Sequence, residues 1–419
     1  MTAIMTGLFA AMLALSVPVG YALIIAAGAA ILINGGTPTV VAVVKLFQPT
    51  QSFPLLAIPF FILSGSLMMS GTLGQKLVQF AAALVGRFHG GMGQVTVVGS
   101  TIFGGVSGSA VAEASALGSM LIPWQKREGY PAGVAAAVTA SSSTIAGLIP
   151  PSIPLILYST VSNASIAALF SAAVLPGLML AGGMMVVCYL SGRIRNFPRL
   201  TNTGEFGTFG KSLISALPAL LMPCFIVVLL RAGIATPTEV SVIAVFYALV
   251  VSLVIYRDLT FKRIHAALVG TVITTGVVML VITASSLVGH VLISERIPTL
   301  VAQWAQETLV NAFLIILMMN LIMLVIGMFL DLPAAILLLG PTFVAIGQAI
   351  GMDPIQMGVM ICINLSIGLF TPPIGTTLFI GAVIARVPIG AVVKELWPFY
   401  LVALTVLLLM SYVPALTIY

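Results

Sequence analysis

The sequence predicts an all-α polytopic membrane protein built from two inverted repeats, each with a re-entrant helical hairpin and a broken transmembrane helix. Three observations carry that expectation. Of 419 residues, 60% are hydrophobic and only 6% charged, with a mean hydropathy of +1.22, whereas a soluble domain carries roughly 25% charged residues. Two apolar stretches are interrupted by proline pairs, GLIPPSIP at 147–154 and GLFTPPIGTT at 368–377. Each pair removes two N–H donors and clashes with the preceding turn, so the helix must break. At membrane depth such a break survives only where its freed carbonyls are buried in protein or bind something. Finally, six landmarks recur at offsets of 219 to 223: Pro18 with Pro237, Ser66 with Ser286, Gly104 with Gly327, Pro131 with Pro354, Pro150 with Pro372 and Pro176 with Pro398.

In chain order, residues 2–33 are apolar but interrupted at Ser16–Gly20, which fits either one broken span or a segment that folds back. Residues 53–69 form a span and 76–89 an interfacial arm. Residues 95–122 hold GGVSGS in their middle; about ten apolar residues on either side are too few for two crossings, since one needs about 20. A hairpin that enters and leaves on the same face fits better. The interfacial WQKREGYP follows, then a broken span at 132–160 and an ordinary one at 166–190. After a basic linker at 191–212 the pattern restarts with spans at 213–231, 239–255 and 266–291. Residues 303–307 are polar and interfacial. A second hairpin at 312–350 is interrupted by GMFLDLP, and a second broken helix at 354–384 precedes the last span, 391–413. The repeats therefore occupy 1–190 and 213–419.

Charge orients them. The loops at 191–212 and 257–265 share a side and are both basic (Arg193, Arg195, Arg199, Lys211; Arg257, Lys262, Arg263), hence cytoplasmic. Propagation puts thirteen of the sixteen Lys and Arg residues inside, leaving Lys45, Arg231 and Arg296 outside. The first hairpin then enters from the cytoplasm and the second from the opposite face, the inverted geometry of alternating-access transporters. The net charge of +6 is scattered over short loops, so nucleic acid is not the expected partner. Cys188, Cys224 and Cys362 lie far apart in apolar runs and imply neither a disulfide nor a transition-metal site. No Walker A, HExxH or GxSxG motif occurs, so the chain holds no ATPase or familiar hydrolase centre and no enzyme is expected.

Two acids lie within membrane segments, Glu113 and Asp331, each at or just past a hairpin tip. An intramembrane carboxylate is costly and marks an ion or proton pathway by default; the bland alternative is a cap or packing anchor for the returning half-helix. Small oxygen ligands cluster at the tips and breaks: Ser107, Ser109, Ser141, Ser142, Ser143, Thr144, Thr371, Thr376 and Thr377. With the carbonyls freed beside the proline pairs they suit a hard cation such as Na⁺, while half-helix N-termini at the same tips suit a substrate carboxylate. A single Ser or Thr is otherwise a helix-packing hydrogen bond, the better account of Ser141 and Ser142.

FGGVSGSAVAEASALGSMLIP (103–123), GLIPPSIP and GLFTPPIGTTLF (368–379), in that order, closely resemble the large membrane subunit of tripartite ATP-independent periplasmic (TRAP) transporters, and the resemblance spans essentially the whole chain. It implies an ion-transporter-superfamily fold with a scaffold and a transport domain, and Na⁺-coupled uptake of an organic acid such as a C4-dicarboxylate or sialic acid by an elevator movement in the bacterial inner membrane. It implies two partners, a small four-helix TRAP membrane subunit, expected as a separate chain, and a periplasmic substrate-binding protein. No cofactor is implied beyond Na⁺ as coupling ion. By motif position it implies one sodium site at Ser107, Gly108, Ser109, Gly147, Pro150 and Pro151, and another at Gly327, Asp331, Gly368, Thr371 and Gly375. Substrate is expected between the tips, near Ser109, Pro151, Thr371 and Thr376. The competing readings are a carboxylate symporter or exchanger of the same architecture without a binding protein, and a membrane subunit with no transport role.

Overall fold

The computed structural model describes residues 1–35, 38–69, 71–200, 209–308 and 311–417. Among these every regular element is helical. The first half comprises α1 (Thr2–Ala14), α2 (Val19–Asn34), α3 (Thr39–Phe47), α4 (Ala57–Met69), α5 (Leu73–Val85), α6 (Gly91–Ser107), α7 (Ala110–Arg127), α8 (Ala132–Ser142), α9 (Ile153–Ser162) and α10 (Ile166–Ile194). The second comprises α11 (Phe209–Arg231), α12 (Pro237–Val250), α13 (Phe261–Ser294), α14 (Ile297–Thr308), α15 (Ala312–Gly327), α16 (Leu332–Ala349), α17 (Pro354–Gly368), α18 (Thr376–Ala385) and α19 (Ile389–Tyr412). Six helices are long and apolar enough to cross a membrane, or seven if the pair 39–51 and 53–69, bent by 56°, is one span. The expected linker at 191–212 starts inside α10, and residues 201–208 lie outside the described residues. The polar stretch 303–307 falls in α14, and the side chains of 305–307 also lie outside them.

The ambiguity over residues 2–33 resolves as a fold-back. The Thr2 N–H donates to the Glu295 carboxylate at 3.0 Å, placing the start of α1 at the C-terminal end of α13. Gly20, at the start of α2, lies against Leu280, ten residues short of His290 on the same helix. α1 packs along α2 and α2 along α13, so α1 leaves the Glu295 end of α13 and α2 returns toward it. At 13 and 16 residues neither reaches the roughly 20 that a span requires. Leu23, Ala26, Ala27, Ala30 and Ile31 bury against Ala284, Leu287, Val288 and Val291 as a small core of their own. The alanines let the α2 backbone approach α13 closely.

The succession α6–α7, α8–α9, α10 recurs as α15–α16, α17–α18, α19: a hairpin, a broken helix and a long closing helix. The halves interlock reciprocally. The outer piece of the first break, α9, packs on α16 and α17, and its counterpart α18 packs on α7 and α8. Tyr158 at the end of this exchange donates its hydroxyl to the Pro354 carbonyl at 2.8 Å.

Each hairpin is also fastened to the broken helix of its own half by one buried polar pair. In the first, the Ser100 and Ser142 hydroxyls meet at 2.9 Å, joining α6 to α8. In the second, the Asn364 amide donates to the Asn320 side-chain oxygen at 2.9 Å, joining α17 to α15, and Asn320 donates in turn to the Ser411 hydroxyl of α19 at 2.9 Å. Apolar contact alone gives little specificity between helices in lipid, so such bonds set register.

Candidate functional site

Both hairpin tips lie directly on the breaks. α6 ends at Gly108, whose φ of +61° is the left-handed conformation that costs other residues about 1–2 kcal/mol. Ser109 then starts α7 as its N-cap, its hydroxyl accepting from the Ala112 N–H at 3.4 Å. The Gly108 carbonyl accepts from the Ile153 N–H at 3.4 Å. A Cβ on Gly108 would lie 2.3 Å from the Pro151 carbonyl oxygen, so the tip backbone can seat on the break only as glycine. A Cβ on Gly104 would lie 2.8 Å from the Ala146 Cα, again too close for anything but glycine. Between α8 and α9 the chain tightens over Ser143–Gly147 and passes through a cis Pro150–Pro151 bond. Ser152 caps α9 and donates its hydroxyl to the Gly147 carbonyl at 2.5 Å.

The second junction repeats this with other chemistry. A Cβ on Gly368 would lie 2.3 Å from the Gly327 carbonyl oxygen, and the Ile374 N–H donates to the Met328 carbonyl at 3.3 Å. Pro372–Pro373 is also cis. The carbonyl oxygens of Leu369 and Thr371 converge at Gly375, at 2.7 and 2.9 Å from where its Cβ would stand. Thr377 reaches across the halves, its hydroxyl lying 3.0 Å from the Ala140 carbonyl and 2.9 Å from that of Leu369. Tyr400 of α19 stacks on Phe370 and donates to its carbonyl at 2.8 Å. The breaks themselves meet where the Ser366 hydroxyl comes within 3.0 Å of the Gly147 Cβ position.

Between the two tips lies a cavity of about 500 Å³, within the range of small-molecule sites. Gly108 and Ser109 line it from the first tip, Asp331 and Leu332 from the second, Gly147 and Leu369 from the breaks, and Ile273–Val278 from α13. Among the described residues Asp331 is the only charged one in its wall. It occupies the N-cap position of α16 without a side-chain cap bond, and it stays exposed to the cavity. Glu113 does not cap either. It lies one turn into α7, fully buried, and neither carboxylate oxygen has a hydrogen-bond partner. The Ser100 hydroxyl faces it but is engaged with Ser142.

Ser107, Gly108, Ser109, Gly147, Pro150 and Pro151 are thus brought together at one junction, and Gly327, Gly368, Thr371 and Gly375 at the other, with Asp331 at the edge of the second. Of the four residues expected around substrate only Ser109 lines the cavity; Pro151, Thr371 and Thr376 do not. The Thr371 hydroxyl donates back to the Ile367 carbonyl at 2.6 Å, and the Thr376 hydroxyl is buried without a partner. The α13 wall was not anticipated, although Thr274, Thr275 and Gly276 interrupt that apolar span and mark the place. The Asn320–Asn364 pair was also missed. Half of its signal was present: the 222 offset of the breaks carries Ser142 onto Asn364, while the 223 offset of the tips carries Ser100 onto Met323, one turn from Asn320.

The donors at both junctions are neutral oxygens, with one carboxylate nearby, and no cluster of three His, Cys, Asp or Glu residues occurs among the described residues. Such a set suits a hard monovalent cation and lacks the thiolate and imidazole ligands that a transition metal prefers. The family model for the DctM component of tripartite ATP-independent periplasmic transporters matches residues 6–416. The chain is 50% identical to the uncharacterized protein y4mL of Sinorhizobium fredii, over all of both chains. It is 35% identical to the sialic acid TRAP transporter large permease SiaM of Vibrio cholerae, covering 96% of this chain and 94% of the relative. It is 34% identical to the C4-dicarboxylate TRAP transporter large permease DctM of Pseudomonas aeruginosa, covering 90% and 88%. Its fold matches the crystal structure of the YdaH transporter of Alcanivorax borkumensis with a TM-score of 0.62 at 14% identity, over 89% of this chain and 86% of that one. The chain is a multi-pass bacterial inner-membrane transport protein and not an enzyme, and it belongs to the DctM family of large permease components of tripartite ATP-independent periplasmic transporters.

Proposed function

We propose that the chain imports an organic acid against its gradient by coupling to Na⁺, receiving it from a periplasmic binding protein and working with a small four-helix membrane subunit. The observation that carries this reading is the pair of tip-on-break junctions flanking one cavity. Freed carbonyls and hydroxyls at each junction supply the neutral oxygens that a sodium ion requires, and half-helix N-termini at the same tips supply N–H groups for a carboxylate. Occupying the junctions places positive charge beside a cavity whose wall holds none of its own, so ion binding favours an anionic substrate there. Relatives named for sialic acid and for C4-dicarboxylates support an organic acid as the class. In this reading residues 1–190 and 213–419 are inverted repeats, and the junction-bearing helices move as one elevator body against the rest.

The test is uptake in proteoliposomes holding this chain with its small subunit and the cognate binding protein. Accumulation should require an inward Na⁺ gradient and the binding protein together. Equal accumulation without Na⁺ would remove the coupling claim, and full uptake of free substrate would favour the symporter or exchanger without a binding protein.

A further inference from the structure

A second cavity, also of about 500 Å³, lies further along the same helices. The cavity between the tips touches α13 at 273–278, α16 at Leu332 and Pro333, and α9 at Ile153 and Pro154. The second touches α13 at 282–293, α16 at Leu337 and Pro341, and α9 at Thr160 and Val161. On α13 and α16 the nearest walls are four residues apart, about 6 Å of helix. α9, α13 and α16 thus run from one chamber to the next, and α3 with the turn after it closes the outer side. The charge count places this end, with Lys45, outside the membrane.

The chemistry of the outer chamber is the reverse of the inner one. No acid lines it, while Lys45 and His290 do. Lys45 is half-buried and pairs with no carboxylate among the described residues; its ammonium donates to Gln48 at 3.0 Å, and its carbonyl accepts from the Ser286 hydroxyl at 2.9 Å, fixing α3 to α13. Glu295, the nearest acid along α13, does not line the chamber and is engaged by Thr2. Two polar atoms in this wall, the Ser285 hydroxyl and His290 Nε2, are buried with no hydrogen-bond partner. A buried polar group left unpaired costs about 1–3 kcal/mol, and two in the wall of one chamber, beside an ammonium with no carboxylate partner, form a built site for an acceptor-rich anion.

We propose that this chamber is a second binding site for the organic anion, an outer antechamber in which Lys45, Ser285 and His290 hold the carboxylate before it passes along α13 to the cavity between the tips. The proposal rests on the transport reading for its direction of traffic, but its site stands on the chamber itself. An ammonium in a low-dielectric cleft raises the local concentration of anions about ten-fold or more. It also supplies the cationic partner that the inner cavity lacks.

The test uses charge-selective thiol labelling of the full chain with its small subunit in sealed vesicles, reagents added outside. A Cβ at Gly289 would meet nothing within 4 Å, so Gly289→Cys projects into the chamber, and half-buried Ser52→Cys gives a second reporter. Cys188 and Cys362 are buried, and the exposed Cys224 is removed by Cys224→Ser. With each rate divided by that for a free thiol in solution, an anionic sulfonate reagent should label both reporters about ten-fold faster than a cationic trimethylammonium one. Lys45→Gln should abolish the preference. Equal normalised rates, a preference for the cation, a preference that survives Lys45→Gln, or no labelling of either reporter from outside would each overturn the proposal. Labelling needs no turnover, so failure of Na⁺-driven uptake leaves this result readable, and loss of the preference beside intact uptake would sink the antechamber alone.

Discussion

The two tip-on-break junctions share a plan and differ in how tightly they are built. At the first, every residue from Ser143 through Tyr158 is buried, the turn is two residues long, and Ser109 caps the returning helix. At the second, Pro373 and Ile374 are exposed, the turn spans 328–331, and the capping position is held by an acid that does not cap. One junction is closed by its own backbone. The other leaves a carboxylate and a stretch of chain open, and draws its order from neighbours: Tyr400 of α19 and Thr377 reaching to α8. The difference teaches that the two halves share where tip meets break and differ in what fixes that contact.

Glycine substitutions should give the largest effects and separate the halves. Gly108→Ala meets a left-handed backbone and the Pro151 carbonyl oxygen at 2.3 Å, whereas Gly368→Ala keeps a helical backbone but meets the Gly327 O, C and Cα at 2.3, 2.4 and 2.8 Å. Gly108→Ala should cost about 2–3 kcal/mol and abolish uptake, and Gly368→Ala, set against three backbone atoms, should lower thermal stability at least as much; a milder Gly368→Ala would mean that the second junction is the adaptable one. The polar pairs come next. Asn320→Ala removes two side-chain bonds, from the Asn364 amide and to the Ser411 hydroxyl, while the residue-320 and Leu407 carbonyls remain as partners, and should cost about 1–2 kcal/mol. Ser100→Ala, which leaves Ser142 a carbonyl within reach at Thr139, should cost about 1 kcal/mol. Equal losses in denaturation would show that the second hairpin does not depend on its clamp.

Capping then distinguishes the tips by the kind of effect. Ser109→Ala should lower stability by about 1 kcal/mol, while Asp331→Ala, which removes no cap bond, should leave the melting temperature within a degree or two and act on transport instead. The smallest effect is expected at Thr376→Val. Its hydroxyl is buried without a partner, so replacing it by a methyl should be neutral or slightly stabilising. A clear loss of uptake in a stable Thr376→Val protein would place that hydroxyl on a ligand.

The sequence disclosed most of the architecture because its strongest signals are backbone signals. Proline pairs break helices whatever surrounds them, so both breaks and both tips stand where the motifs put them: α8 and α9 flank 143–152, and α17 and α18 flank 369–375. Where local sequence is neutral, tertiary contact decided. Ser16–Gly20 is compatible with a kink or a fold-back, and only the packing of α2 on α13 selects the second. Side-chain roles were least legible. Thr371 stands at the break as expected, yet its hydroxyl turns to its own helix, the default for a hydroxyl without a better acceptor. Asp331 lines the cavity because Ser109-type capping does not recur at the second tip, and no motif spacing distinguishes an acid that caps from one that does not.

The account turns on the second junction and its acid, and the Na⁺ activation of uptake tests it most directly. Uptake should be measured against external Na⁺ for the wild type and Asp331→Asn at matched amounts of folded protein. The account predicts that half-activation moves to several-fold higher Na⁺, or that activation is lost, while thermal stability holds. Superimposable activation curves would contradict it and remove Asp331 from the ion site.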